Sequence, residues 1–278
     1  MLRCLYVDLD GTLLGPGGSL FAGFDGAFSL DGARALQACA RAGVEVVIVS
    51  GRRQESVFQA SRLIGSSAYV FELGCGVVVD GELEWLTGGF EPSEEAGTIY
   101  DQLTATGAPA LLLEAFADRL EYHSPWSDGR EVSHLLRGLV DADEVSAVLA
   151  DAGFEGLRLV DNGVVSAHGG VVAGGLSGMA LDRMHAYHLI PGGASKAAGV
   201  ARHMQARGYL PEECIAVGDS REDIEMGAAV GAFWLVSNAA ERDPTLAGFA
   251  AGRAGVRLAS EPFGAGVYEA VVTTLAGG

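Results

Sequence analysis

The sequence predicts an α/β protein: a parallel sheet with helices on both faces, interrupted by a smaller α+β domain. Three observations carry this expectation. Short, nearly continuous apolar runs alternate with helix-like segments near the amino terminus, the texture changes over 88–188, and the first texture returns after Pro191. The parallel-sheet domain is therefore expected to be discontinuous, 1–87 with 189–278, and the inserted domain to be 88–188.

The elements follow in order. "LRCLYVDLD" is a short β-rich run that leads into a Gly/Pro-rich loop. Asp31 to Ala42 reads as a helix closed by Gly43, a residue suited to the left-handed conformation that ends helices. "VEVVIVS" is apolar enough for a strand covered on both faces, and Arg53 to Ile64 reads as a second helix, closed by Gly65. "AYVFELGCGVVVDGELEWL" reads as a strand and a hairpin turning at Asp80-Gly81. In the insert, "EEAGTIYDQLTATG" and "DADEVSAVLADAG" read as helices, while "ALLLEAF", "RLEYHS" and "GLRLVDNGVVSAHGG" read as strands of a small antiparallel sheet. Beyond it, Ser195 to Arg207 is a helix ending at Gly208, "CIAVGDS" a buried strand, "REDIEMGAAVG" a short helix and "AFWLVSN" a further strand.

Composition narrows the function. A formal charge of -18 repels phosphate backbones and anionic lipid, so nucleic-acid and membrane-surface partners are not expected. An anionic ligand must instead be held locally, by a few cations, backbone amides or a metal. Cys4, Cys39, Cys75 and Cys214 are far apart in sequence and form no CxxC pair, which predicts reduced thiols in a cytoplasmic protein. No apolar run is long enough to span a bilayer, and "MLRCLYVDLDGT" reaches acidic residues too early for a signal peptide. Nothing in the sequence fixes an oligomeric state.

The chemistry is expected where strands end. Asp8 and Asp10 in "YVDLDGT" stand two apart on a strand, so both should project to one side, at the carboxyl end where open α/β sheets bind ligands. Two anions that close repel unless a cation lies between them, and hard oxygen donors suit Mg2+. "VGDSREDIEM" adds Asp219 and Asp223 at another strand end. Ser50 and Gly51 in "VVIVSGR" offer a hydroxyl and a flexible turn to an anion, with Arg52 beside them. "GGASK" places Lys196 in the first turn of a helix, where it opposes the helix dipole. It is the one lysine in a chain whose other cationic side chains are all arginine, so a ligand or a carboxylate is expected to explain it. No Gly precedes this Lys at P-loop spacing, and no GxGxxG joins a strand to a helix.

"DLDGT", "SGR", a lone Lys opening a helix and "GDSREDIEM", in this order, resemble the haloacid dehalogenase superfamily of phosphotransferases, particularly its Cof-like and mannosyl-3-phosphoglycerate-phosphatase-like members. The resemblance implies a Rossmann-like core with a cap domain inserted between the second and third motifs. It implies Asp8 as nucleophile, forming an aspartyl phosphate, and Asp10 as the acid that protonates the leaving group and then the base that activates water. Mg2+ would be held by Asp8, the Asp10 backbone carbonyl and Asp219, with Asp223 as ligand or water-orienting group. Ser50, Gly51 and Lys196 would bind phosphoryl oxygens, and Thr12 the loop or the phosphate. The implied activity is Mg2+-dependent hydrolysis of a small phosphorylated metabolite, a sugar phosphate or phosphoglycerate derivative. A phosphomutase of the phosphomannomutase type and a non-catalytic sugar-phosphate-binding protein are the alternatives. One departure stands out: such relatives carry Asn where this chain has Glu222, which removes a hydrogen-bond donor and adds an anion.

Specificity is expected from the insert, which would close over the core and read the leaving group. Its candidates are His123, Trp126, Arg130 and Arg137, for stacking on a sugar or pairing with a second anion, and Arg52 and Glu222 outside the insert are further candidates for reading the substrate. His185 and His188 would face opposite sides of an extended run and are expected to be structural.

Overall fold

An eight-stranded sheet organises the larger of the two units into which the chain divides, Met1–Glu84 with Ser195–Gly278. The structure, a computed structural model, describes residues 1–165, 176 and 184–277. The chain enters through β1 (Cys4–Val7), α1 (Asp31–Ala42), β2 (Glu45–Val49), α2 (Gln54–Ile64), β3 (Ala68–Phe71), β4 (Gly76–Val79) and β5 (Glu82–Trp85). Both helices end where expected, with Gly43 and Gly65 left-handed and their amides bonded back to the last turn. Asp80 and Gly81 both take positive φ, the two-residue turn that suits the twist of a hairpin.

The second unit, Trp85–Ala194, contains α3 (Ile99–Thr106), α4 (Ala108–Ala115), β6 (Leu120–Tyr122), β7 (His134–Gly138), α5 (Ala142–Asp151), β8 (Leu157–Val164) and β9 (His185–Pro191). Its four strands form an antiparallel sheet in the order β6-β7-β9-β8. Two expectations change here. "ALLLEAF" lies in a helix, α4: an unbroken apolar run does not distinguish strand from helix, and Pro109 in the first turn favours the helix. The second domain crossing, expected at 188/189, falls within β9, which pairs with β7 and β8 and so belongs to this sheet. The expected strand "GLRLVDNGVVSAHGG" is β8 at its start, and its last five residues, 166–170, lie outside the described residues.

The chain then returns to the large sheet with α6 (Lys196–Arg207), β10 (Cys214–Gly218), α7 (Arg221–Glu225), β11 (Ala232–Leu235), α8 (Ser237–Arg242), α9 (Pro244–Ala251), β12 (Val256–Leu258) and α10 (Phe263–Gly277). The sheet order is β12-β11-β10-β1-β2-β3-β4-β5, parallel from β12 to β3, with β4 antiparallel to β3. β1, β2 and β3 are wholly or largely buried, as expected of strands covered on both faces. From β1 the chain proceeds to β2 on one side, and from β10 to β11 on the other. The strand order therefore reverses between β1 and β10, and such a reversal opens a crevice at the carboxyl ends of the two strands.

Candidate active site

Asp8 follows the last residue of β1 and Asp219 the last residue of β10. The register pairs Val7 with Val217, so both carboxylates leave neighbouring strands into that crevice. Asp223 comes from the first turn of α7, where it forms a capping box with Ser220. Oxygens of Asp8, Asp219 and Asp223 all lie within 4.8 Å of one another, and all three residues are buried.

Lys196 supplies the counter-charge. Ser195 caps α6 by accepting the amide of Ala198, and the next side chain turns inward until it is 1% exposed. Its ammonium donates to Asp8 Oδ1 at 2.7 Å and to Asp223 Oδ1 at 2.6 Å. The other oxygen of Asp223, Oδ2, accepts from the amides of Asp219 (3.1 Å) and Ser220 (3.0 Å) and from the Ser220 hydroxyl (2.7 Å). Asp223 is thus saturated, and its visible work is to hold the lysine and the loop. Among the described residues nothing donates to Asp8 Oδ2.

Glu222 does not turn toward solvent. It is buried and accepts the backbone N–H of Lys196 at 3.3 Å, so its charge lies at the positive end of the α6 dipole. Glu222 thus serves as the acceptor for a helix-start amide. The lone lysine and the unusual glutamate form one arrangement around the same residue.

Neither Asp8 nor Asp10 lies on the strand itself, because β1 stops at Val7. The chain turns at once, with the Leu13 amide donating to Asp8 O at 3.2 Å and the Leu14 amide to Leu9 O at 2.9 Å. Asp10 is consequently half-exposed and pairs bidentately with Arg52, at 2.6 Å from Nε and 2.5 Å from Nη2. Arg52, expected to read substrate, is held by this carboxylate. Gly11 makes the turn at φ +89°, and any side chain there would collide with Asp219. Thr12 is fully buried and donates to Asp219 Oδ1 at 3.2 Å. Ser50 leaves β2, next to β1, and its hydroxyl accepts the amide of Arg52 at 3.2 Å, across the buried Gly51.

Two contributors had no visible motif. Arg242, at the end of α8, donates to Asp219 Oδ2 at 2.7 Å. Asn238 binds the Gly11 carbonyl at 2.8 Å and accepts the Phe263 amide at 2.8 Å, which ties the Asp8–Thr12 turn to the start of α10. A polar pair at helical spacing, Asn238 and Arg242, is the faint signal that points to them.

The electrostatics follow from crowding. Burial, reinforced by Asp223 and Asp219 and opposed by Lys196, pushes the Asp8 carboxyl well above its ordinary range. Asp219 is raised to about 6 by burial, with Arg242 pulling the other way. Lys196 goes up: burial disfavours its charge, but Asp223 and Asp8 outweigh that. Three carboxylates thus share more negative charge than Lys196 and Arg242 balance. The donor set fits a hard dication such as Mg2+, which takes one or two carboxylates and keeps waters or phosphate oxygens in its remaining positions.

The insert candidates lie in the other unit, Trp85–Ala194. His123 and Trp126 stack with ring centroids 5.2 Å apart, and Trp126 is 45% exposed. Arg130 is spent internally, on the Trp126 carbonyl (3.1 Å) and the Ser133 hydroxyl (2.9 Å), and Arg137 is buried against Glu121 at 2.6 Å. Trp126 is the candidate that presents an exposed ring. His185 pairs with Asp161 and His188 with Ser133, each a structural arrangement.

Comparison with known proteins bears on the same residues. A family model described as haloacid dehalogenase-like hydrolase matches residues 179–249, the stretch that supplies Lys196, Asp219 and Asp223. A phosphoglycolate phosphatase of Methanoculleus marisnigri is 26% identical over 277 residues, covering 98% of this chain and 96% of its own. One from Halorubrum lacusprofundi is 28% identical over 86% of each chain. Among solved structures, the sucrose-phosphatase of Synechocystis, determined with sucrose and phosphate, superposes with a TM-score of 0.64 at 16% identity, over 99% of this chain and 98% of that one. The parallel sheet, the inserted unit and these matches together make the chain similar to the haloacid dehalogenase-like hydrolases.

Proposed function

We propose that the protein is a Mg2+-dependent phosphatase of a small phosphorylated metabolite, in the class of phosphoglycolate, phosphoglycerate derivatives and sugar phosphates, and that it works through an aspartyl phosphate on Asp8. The observation that carries this reading is the buried Asp8 carboxylate, fixed through Oδ1 by Lys196 with no donor on Oδ2 among the described residues. An oxygen held in this way is oriented for attack. The phosphatases named among the relatives support the substrate class.

Asp8 and Asp219 would hold the ion, with the Asp10 carbonyl, while Asp223 anchors Lys196 and the loop. When bound, Mg2+ supplies charge neutralisation for the phosphoryl oxygens and their alignment. Asp8 attacks phosphorus, an Asp8–O–P bond forms, and the bond to the leaving alkoxide breaks as Asp10 hands that oxygen a proton. Asp10 then takes a proton from water as the water oxygen attacks phosphorus. The Asp8–O–P bond breaks, releasing inorganic phosphate and the free carboxylate. Arg52 must let go of Asp10 for this exchange, and half-exposure gives the acid the mobility it needs. Ser50, the Gly51 turn and Lys196 cradle the phosphoryl oxygens, and Thr12 keeps Asp219 in place.

The test is phosphate release from p-nitrophenyl phosphate, 2-phosphoglycolate and a panel of sugar phosphates, with and without Mg2+. Asp8→Asn is expected to lower turnover by at least about 1,000-fold while leaving the unfolding transition in place, and EDTA to stop the wild type. Turnover that survives either treatment removes Asp8 or the metal from the mechanism.

A further inference from the structure

The opposite end of the β1–β10 strand pair carries a second constellation that the phosphatase chemistry does not use. Cys4 opens β1, in register with Cys214 on β10 and with Glu45 on β2. His203 reaches the same point from the third turn of α6. One donor atom each from Cys4, Glu45 and His203 lies within 4.8 Å of the others, with Cys4 and His203 fully buried.

The imidazole contains the informative atom. Its Nδ1 is 2.8 Å from the Tyr6 hydroxyl, whereas its Nε2 is buried and has no hydrogen-bond partner among the described residues. The nearest carboxylate oxygen, Glu45 Oε1, stands 3.6 Å away. That is long for a hydrogen bond but close to the separation of two ligand atoms on one tetrahedral ion, about 3.3–3.5 Å for metal–ligand bonds of about 2.0–2.2 Å. If the Nδ1–H donates to the Tyr6 oxygen, Nε2 presents a bare lone pair to the cluster, and Tyr6 becomes the outer partner that orients a ligating histidine.

We propose that Cys4, Glu45 and His203 form a binding site for a Zn2+-class ion, with Cys214 as the nearest further donor. Thiolate, imidazole and carboxylate together select borderline-soft ions over Mg2+, so this site and the Asp8 site sort metals by ligand type. Binding expels the Cys4 thiol proton to solvent and forms a metal–sulfur bond. Glu45 is the partly exposed member and gives the route inward. Arg207, which holds Glu45 Oε1 at 3.1 Å, keeps its second partner Asp80 when that oxygen turns to the ion. The site ties β1, β2, β10 and α6 together at the end of the sheet remote from catalysis, so its effect falls on the rigidity of the strands that deliver Asp8 and Asp219.

The test titrates metal-free, full-length protein with Co2+ in excess Mg2+ and reads the thiolate-to-cobalt charge-transfer absorption, which an all-oxygen site cannot produce. The expected result is a band saturating at one equivalent, retained in Asp8→Asn. Apparent affinity should fall at least about 100-fold in His203→Gln and in Cys4→Ser. Absence of the band in the wild type overturns the proposal whether or not the variants fold, and so does a band of unchanged affinity in either variant.

Discussion

β1 and β10 run side by side, and the two ends of the pair treat buried polar groups in opposite ways. At the carboxyl end three carboxylates crowd around one ammonium, and Asp219 is pushed up to about 6. At the amino end burial also works against the charge of Glu45, but the Tyr209 hydroxyl at 2.8 Å and the Arg207 guanidinium at 3.1 Å help to outweigh it, and the carboxyl lies below its ordinary value. The difference teaches that burial alone does not set the state of a carboxyl. What decides it is how many donors and opposite charges the neighbouring elements bring: in the metal-free protein the carboxyl end keeps excess negative charge, whereas the amino end offsets its one carboxylate internally.

Lys196 offers the largest way to break the contrast. Lys196→Met leaves two buried carboxylates without their shared partner, an effect of about 3–5 kcal/mol on folding stability and a loss of measurable phosphatase. Urea denaturation and phosphate release would register both. Lys196→Arg keeps the charge but replaces a compact ammonium with a planar fork, in a space where Nζ already touches Asp8 and Asp223 at 2.7 and 2.6 Å. It is expected to lower kcat/KM by at least about tenfold. Near-normal kinetics in the arginine variant would mean that charge, not shape, keeps this residue a lysine.

Much of the carboxyl end was legible in the sequence, because its residues stand directly after apolar runs and a strand end fixes where they emerge. Asp8, Asp219 and Ser50 follow that rule, and Lys196 was legible instead from its place in the first turn of a helix. Asp10 does not follow the rule, since the residue at which β1 stops depends on the turn hydrogen bonds of Leu13 and Leu14 rather than on apolar pattern. The destination of Glu222 was equally hidden, because its partner is a backbone amide from a helix 26 residues earlier in sequence. The amino end was illegible for a different reason. Cys4 and Cys214 are remote in sequence and show no ligand spacing, and only the pairing of β1 with β10 sets them side by side.

Asp219 provides the intermediate test. Its folded carboxyl titrates above its unfolded value, so its stabilising contribution is full below about pH 4 and is lost as pH rises through about 6. Asp219→Asn, neutral throughout, should therefore make the metal-free protein more stable than wild type at pH 7, by up to about 3 kcal/mol. That gain should shrink as pH is lowered through the same window, while phosphatase activity falls. Thermal unfolding of both proteins between pH 4 and 7, about the range in question, reads the first effect. A variant less stable than wild type at neutral pH would show that the Arg242 pairing at 2.7 Å already satisfies this carboxylate.

The smallest expected effect is of opposite sign and lies at the amino end. Glu45 titrates below its unfolded value, so its contribution is full above the ordinary carboxylate range and is lost as pH falls through about 2. Glu45→Gln, compared in the metal-free protein, retains an acceptor for the Tyr209 hydroxyl, now at 2.8 Å, and removes the charge that faces Arg207 and His203. Because both partners are partly exposed, the expected loss at pH 7 is about 1 kcal/mol. The gap between variant and wild type should narrow as the pH of urea denaturation is taken from 5 toward 3, about the upper part of that window. Replacing a carboxylate by its amide should thus stabilise one end of the strand pair and destabilise the other at the same pH. Equal signs at both ends would mean that the packing around β1 and β10, rather than the count of compensating partners, sets the balance.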